Sequence, residues 1–171
     1  MIRTILKNSG AVEMAVSEHI TALGLRLYLQ GQRVALATVM ATWGSAPRPI
    51  GAQMLICEDG SFHGSVSGGC VEGAVILEAM EALEDGQCRR LRYGVADADA
   101  FAVGLACGGE IELVVEPVGQ GQGMDPAWLE RLAEAQAARQ PIGVRLDLVS
   151  WQRDFISAQT DPSVFEAGGG L

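Results

Sequence analysis

The chain has 171 residues, 49% of them hydrophobic and 19% charged, a composition that suits one globular domain of ordinary size with a proper core. Its formal charge of −9 argues against phosphate-backbone binding, because nucleic-acid readers usually present a basic face. No apolar run reaches the roughly 18–20 residues of a membrane span and no signal-peptide pattern opens the chain, so a cytoplasmic protein is expected.

In chain order, Val16, Ile20, Leu23 and Leu27 recur at helical spacing and Gly31 follows as a C-cap, which predicts a helix over 11–30. The nearly unbroken apolar run 33–42 reads as a buried strand. Trp43-Gly44-Ser45-Ala46-Pro47-Arg48-Pro49-Ile50-Gly51 reads as a loop. Residues 52–57 and 61–66 then form a hairpin about Asp59-Gly60. From 71 to 85, Val71, Val75, Ile76, Ala79, Met80 and Leu83 make one helical stripe opposite Glu78, Glu81 and Asp85, closed by Gly86. A strand over 88–93, a short helix capped by Asp97 or Asp99 and running to about Leu105, and a strand over 111–116 follow. The glycine-rich stretch 119–124 reads as a flexible connector between a unit at 1–118 and a smaller α/β continuation at 125–171. In that continuation Asp125-Pro126 opens a helix over 126–139, and strands are expected over 142–149 and 154–158. Beyond them the last residues read as frayed. Helices and strands mix around one clear hairpin, so the fold class is α/β or α+β, a mixed β-sheet with flanking helices.

The four cysteines, at 57, 70, 88 and 107, form no CxxC pair, and with only His19 and His63 available no structural zinc site is expected. There is no GxGxxG between strand and helix, no lysine to complete a phosphate loop at 64–70, and no serine elbow. What stands out is Ser67-Gly68-Gly69-Cys70 before the helix at 71: glycines that permit close backbone approach, unpaired amides suited to an anion, and a thiol in their field. Glu72 works partly against this by placing its own charge in the first turn, and the alternative is a capping acid beside a packed cysteine. Cys107-Gly108-Gly109 offers a second such turn, and Pro47-Arg48-Pro49 presents a guanidinium suited to phosphate. Cys57, Cys88, His63 and Trp43 are assigned to packing or structure.

Three blocks, residues 37–51, 64–72 and 103–109, in order and spacing, resemble the XdhC/CoxI family of accessory proteins that mature xanthine dehydrogenase and related molybdenum hydroxylases. The resemblance is strong over about 20–118 and weaker over 125–165. It implies transient binding of the molybdenum cofactor, a phosphorylated pterin dithiolene, and transfer to the apo-enzyme after a cysteine desulfurase supplies the terminal sulfur. Carried over, Cys70 and Cys107 become candidates for contact with the molybdenum centre or for sulfur relay, with Cys70 the candidate catalytic residue. Ser67, Gly68, Gly69, Gly108 and Gly109 would shape the cofactor turn, and Arg48 with Ser45 would bind phosphate. The expected partners are a molybdenum hydroxylase such as xanthine dehydrogenase, a cysteine desulfurase and, as a homo-oligomer, a second copy of the chain. Many members continue into a C-terminal Rossmann-like domain, and the chain resembles the short or split form without it. A maturation chaperone is thus the first reading. A cysteine-dependent sulfurtransferase or redox relay using Cys70, and a cofactor-free interaction scaffold, are the alternatives.

Overall fold

A computed structural model describes residues 5–6, 11–14, 20–94 and 109–157. The elements are strands β1 (Ile5–Leu6) and β2 (Ala11–Met14), helix α1 (Ile20–Leu29), strands β3 (Val34–Trp43), β4 (Gln53–Cys57) and β5 (Phe62–Gly64), helix α2 (Glu72–Asp85), strands β6 (Arg89–Tyr93) and β7 (Glu110–Pro117), helix α3 (Pro126–Ala137), and strands β8 (Ile142–Asp147) and β9 (Arg153–Ser157). Five strands form one sheet in the order β5-β4-β3-β7-β6, four form a second in the order β1-β2-β8-β9, and every ladder between named strands is antiparallel. The expected class is met in its α+β form.

Strand β3 is the centre of the larger sheet, and both of its faces are covered. Ala35, Ala37 and Val39 meet Val75, Ala79, Ala82 and Leu83 of α2, while Val34 and Leu36 share a second cluster with Ile20 near the start of α1 and Leu129 of α3. A strand buried on both sides has no solvent face to mark with polar residues, so its sequence reads as one apolar run. Around Met40 the β3–β7 register shifts between Val39 and Ala41, and Met40 packs with Val114 and Leu146 where the second sheet meets the first. Helix α3 opens as expected, with the Asp125 side chain accepting from the Ala127 amide at 2.9 Å.

One expectation is corrected. The helix predicted from residue 11 begins at Ile20, because Ala11–Met14 pairs instead with β8, in the register Ala11 to Asp147 and Met14 to Val144. A strand's partner across the chain outweighs local helical spacing. Val16 and His19 lie outside the described residues, as does the short helix expected through Leu105. The glycine-rich stretch after β7 is hydrogen-bonded to the end of α2 and the residues that follow it. Gln120 Nε2 donates to the Leu83 carbonyl at 2.6 Å at the end of α2, the Gln122 amide donates to the Gly86 carbonyl at 2.8 Å, and Gln122 Oε1 accepts from the Cys88 amide at 3.2 Å. These bonds tie it to the α2–β6 junction.

Candidate functional site

The residues singled out in sequence gather at one end of the larger sheet, where β3 and β5 end and β7 and α2 begin. The turn Val66–Gly69 precedes α2, with Gly68 at φ +78° and Gly69 at φ +114°, conformations that side-chain-bearing residues rarely adopt. This turn aims its amides inward at one group, the carboxylate of Glu72. Oε1 accepts from the amides of Val66 (3.2 Å), Ser67 (2.9 Å) and Gly68 (3.1 Å), and from the Ser65 hydroxyl (2.7 Å). Oε2 accepts from the Gly69 amide (2.9 Å) and from the Ser67 hydroxyl. Glu72 as a residue is 7% exposed. Burial opposes its charge, yet the hydrogen bonds from the Ser67 and Ser65 hydroxyls and the Ser67 amide outweigh that penalty and bring its pKa from 4.5 down to about 2.

Ser67 closes the helix start from the other side: its hydroxyl accepts from the amides of Cys70 (3.0 Å) and Val71 (2.9 Å). The amides of 66–69 thus face an anion, the chain's own carboxylate, and Ser67 satisfies the two amides just before α2. Glu72 does not cap α2: it reaches back to the preceding turn, and the N-cap residue Val71 makes no side-chain capping bond. Cys70 is half-buried against the α2-side core, whereas Cys57 and Cys88 are buried. Burial and the nearby Glu116 carboxylate push the Cys88 thiol up to about 12, consistent with an inert packing role.

The loop after β3 lies against this turn. Arg48, exposed, donates from Nε to the Ser65 hydroxyl at 3.3 Å, and Ser65 in turn joins Glu72, so guanidinium, hydroxyl and carboxylate form one chain of contacts. Pro47 packs against Gly68. At the start of β7, Gly109 presses on the same loop so closely that a Cβ there would sit 2.3 Å from the Ser45 carbonyl oxygen. Gly109→Ala is accordingly expected to displace the loop and lower the melting temperature by about 4–8 °C, read by thermal denaturation. Trp43, 43% exposed, is covered by the Arg92 guanidinium 5.1 Å from its ring, and Arg92 also pairs with Glu110 at 2.5 Å.

Of the sequence-predicted set, Ser45, Arg48, Ser67, Gly68, Gly69, Cys70 and Gly109 are brought to this one end. Cys107 and Gly108 lie outside the described residues, and with them the expected meeting of two thiols. Ser65, the hydroxyl between Arg48 and Glu72, was not singled out. Its signal was present: two serines and an acid flank a Gly-Gly pair, a reciprocal arrangement akin to a capping box. Among the described residues no group of three or more His, Cys, Asp or Glu is placed to hold a metal ion, and no helix is long and apolar enough to cross a membrane.

The chain is a two-sheet α+β domain with a Gly-Gly-Cys turn clamped to a helix start. Residues 27–94, less than half of the chain, match the model of the XdhC and CoxI family. The chain is 39% identical over 132 residues to the molybdenum cofactor insertion chaperone PaoD of Escherichia coli K12, an alignment covering 76% of this chain and 40% of that protein. It is 40% identical over 81 residues to the uncharacterized protein YqeB of the same organism, covering 47% of this chain and 15% of YqeB. Among solved structures, a crystal structure described as a xanthine dehydrogenase from Bacillus halodurans superposes with a TM-score of 0.53 at 28% identity, covering 69% of this chain and 34% of that one. The matched region is thus less than half the length of each of these relatives.

Proposed function

We propose that the chain is an accessory protein of molybdenum enzymes. It takes the molybdenum cofactor as cargo in the cytoplasm, keeps it while a cysteine desulfurase supplies the terminal sulfur, and delivers it to a hydroxylase of the xanthine dehydrogenase type. The observation that carries this reading is the 39% identity over 132 residues to a molybdenum cofactor insertion chaperone. The site is chemically suited to such cargo, which brings a phosphate and a metal–sulfur centre. Because Glu72 fills the amide turn, the phosphate falls to the exposed Arg48 guanidinium and to Ser45 at the loop rim. Gly68, Gly69 and Gly109, with Ser67 beneath them and Gly108 beside Gly109 in sequence, form the wall over which the pterin lies. Cys70 and Cys107 are the thiols offered to the metal centre or to sulfur relay.

Anaerobic equilibrium binding of purified molybdenum cofactor, read as pterin retained, tests this. The wild-type chain is expected to retain the cofactor, and Arg48→Ala to weaken retention by about tenfold, the scale of one lost hydrogen bond to a charged group. A wild-type chain that retains no pterin overturns the reading. A second reading, a cysteine-dependent sulfurtransferase or redox relay, is favoured by one observation: Cys70 alone of the three described cysteines is not buried. That reading gains if Cys70→Ser keeps cofactor retention intact while abolishing sulfuration of a target hydroxylase. It fails if sulfuration is unaffected.

A further inference from the structure

Glu72 spends six hydrogen bonds on a turn of five residues, far more than helix capping needs. A carboxylate at a helix start needs one or two amide partners to satisfy the free donors there. Here both oxygens are saturated by four consecutive amides and two hydroxyls, all from the segment that leads to Cys70. The same carboxylate reaches Arg48 through the Ser65 hydroxyl, which accepts from Arg48 Nε and from the Gly68 amide while donating to Glu72. Two otherwise separate loops, one bearing the thiol and one the guanidinium, are therefore referred to a single buried group.

We infer that Glu72 is the positioning residue of this site, its carboxylate acting as an internal anion that holds the Ser65–Gly69 turn closed and so fixes Cys70 and Arg48 in one arrangement. The inference deepens the cofactor reading and rests on it for its purpose, but not for its test. The turn is an anion cradle built by the chain and filled by the chain. Val66 is anchored in the core and the serine hydroxyls bond amides of their own segment, but at Gly68 and Gly69, both at positive φ with no side chain, the Glu72 carboxylate is what the amides are held to. Cargo phosphate is consequently kept out of the amides and directed to the rim, where Arg48 stands. The thiol is presented from a stiff turn rather than a mobile one.

The test uses the whole chain with Glu72→Ala and Glu72→Gln, and follows alkylation of each cysteine by iodoacetamide with peptide mass mapping. Rates are taken at a pH where the Cys70 thiol is fully ionised in every variant, so that loss of a neighbouring negative charge does not enter. The Cys70 rate is expected to rise by about fivefold or more in both variants, the scale of one broken hydrogen bond, while buried Cys57 and Cys88 stay protected. Sodium formate, a carboxylate small enough to enter the vacated cradle of the alanine variant, is expected to return the Cys70 rate towards wild type. An unchanged Cys70 rate in both variants overturns the inference. So does a rise at Cys57 and Cys88 alongside Cys70, which would make Glu72 a support of the whole fold rather than of this turn. Because the readout needs no cofactor, a chain that retains no pterin would sink the proposed function and leave this result standing.

Discussion

Replacing Glu72 by alanine is expected to cost about 3 kcal/mol of folding stability at pH 7, and progressively less in acid. The magnitude follows from linkage: a carboxyl whose pKa falls from 4.5 to about 2 on folding is stabilised in its charged form by about 3 kcal/mol. The sign follows too. A depressed pKa contributes stability that is fully present above the unfolded value near 4.5 and is lost as pH falls through the folded value near 2. Urea denaturation of both proteins at pH 7, 4 and 3 measures the gap, which should narrow between pH 4.5 and 2. A gap that stays constant across that range would assign the loss to packing and remove ionised Glu72 from the account of the turn. Alanine also leaves the four amides of 66–69 and two serine hydroxyls facing a space that only water or a small anion can satisfy.

A loss at least as large is expected on the opposite side of β7. Glu116 is fully buried there, facing Arg153 of β9, whose side chain is 8% exposed; Nε donates to Glu116 Oε1 at 2.9 Å, and Nη2 donates to the same oxygen. Arg153 also donates to the carbonyls of Trp151 (2.9 Å) and Gln122 (3.3 Å), tying β9 to the turn after β7. Arg153→Ala strands a carboxylate that has left water, and is expected to destabilise the chain by about 3–5 kcal/mol. Glu116→Leu combined with Arg153→Leu removes both charges and should recover most of that loss, since apolar replacement of a buried pair is often near neutral. A double-mutant cycle by chemical denaturation reads both. If the double variant is no more stable than Arg153→Ala, the packing between the sheets, not the stranded charge, is what Arg153 supports.

How much of this was legible in the sequence depends on how far the deciding partner lies along the chain. The α2 stripe was legible because Val75, Ala79 and Leu83 face one surface of one helix, a period written locally. The β4–β5 hairpin was legible in Asp59-Gly60, where the Asp59 carboxylate accepts from the Ser61 amide and hydroxyl within two residues. Ala11–Met14 was misread because its partner is β8, at the other end of the chain, and four residues carry no period long enough to distinguish strand from helix. At the candidate site, the Gly-Gly-Cys pattern marked the turn before α2. It did not reveal the tenant of that turn, because the hydrogen bonds that seat Glu72 appear only once the segment folds back on the helix it begins. In the stretch after β7 the close contacts were not legible for a related reason: glycines announce freedom of the backbone, and Gly121 and Gly123 use it to approach Gly86 and Pro117.

The pairing of β2 with β8 also joins distant parts of the chain. The five strands of the larger sheet and α2 are drawn from residues 34–117, so the end that carries Cys70 and Arg48 is built from one continuous stretch. The second sheet is not: Met14 of β2 meets Val144 of β8, and the strand near the N-terminus lies across the molecule as a clasp between segments 130 residues apart. A cut or deletion that frees β2 therefore acts on the second sheet without touching any strand of the first.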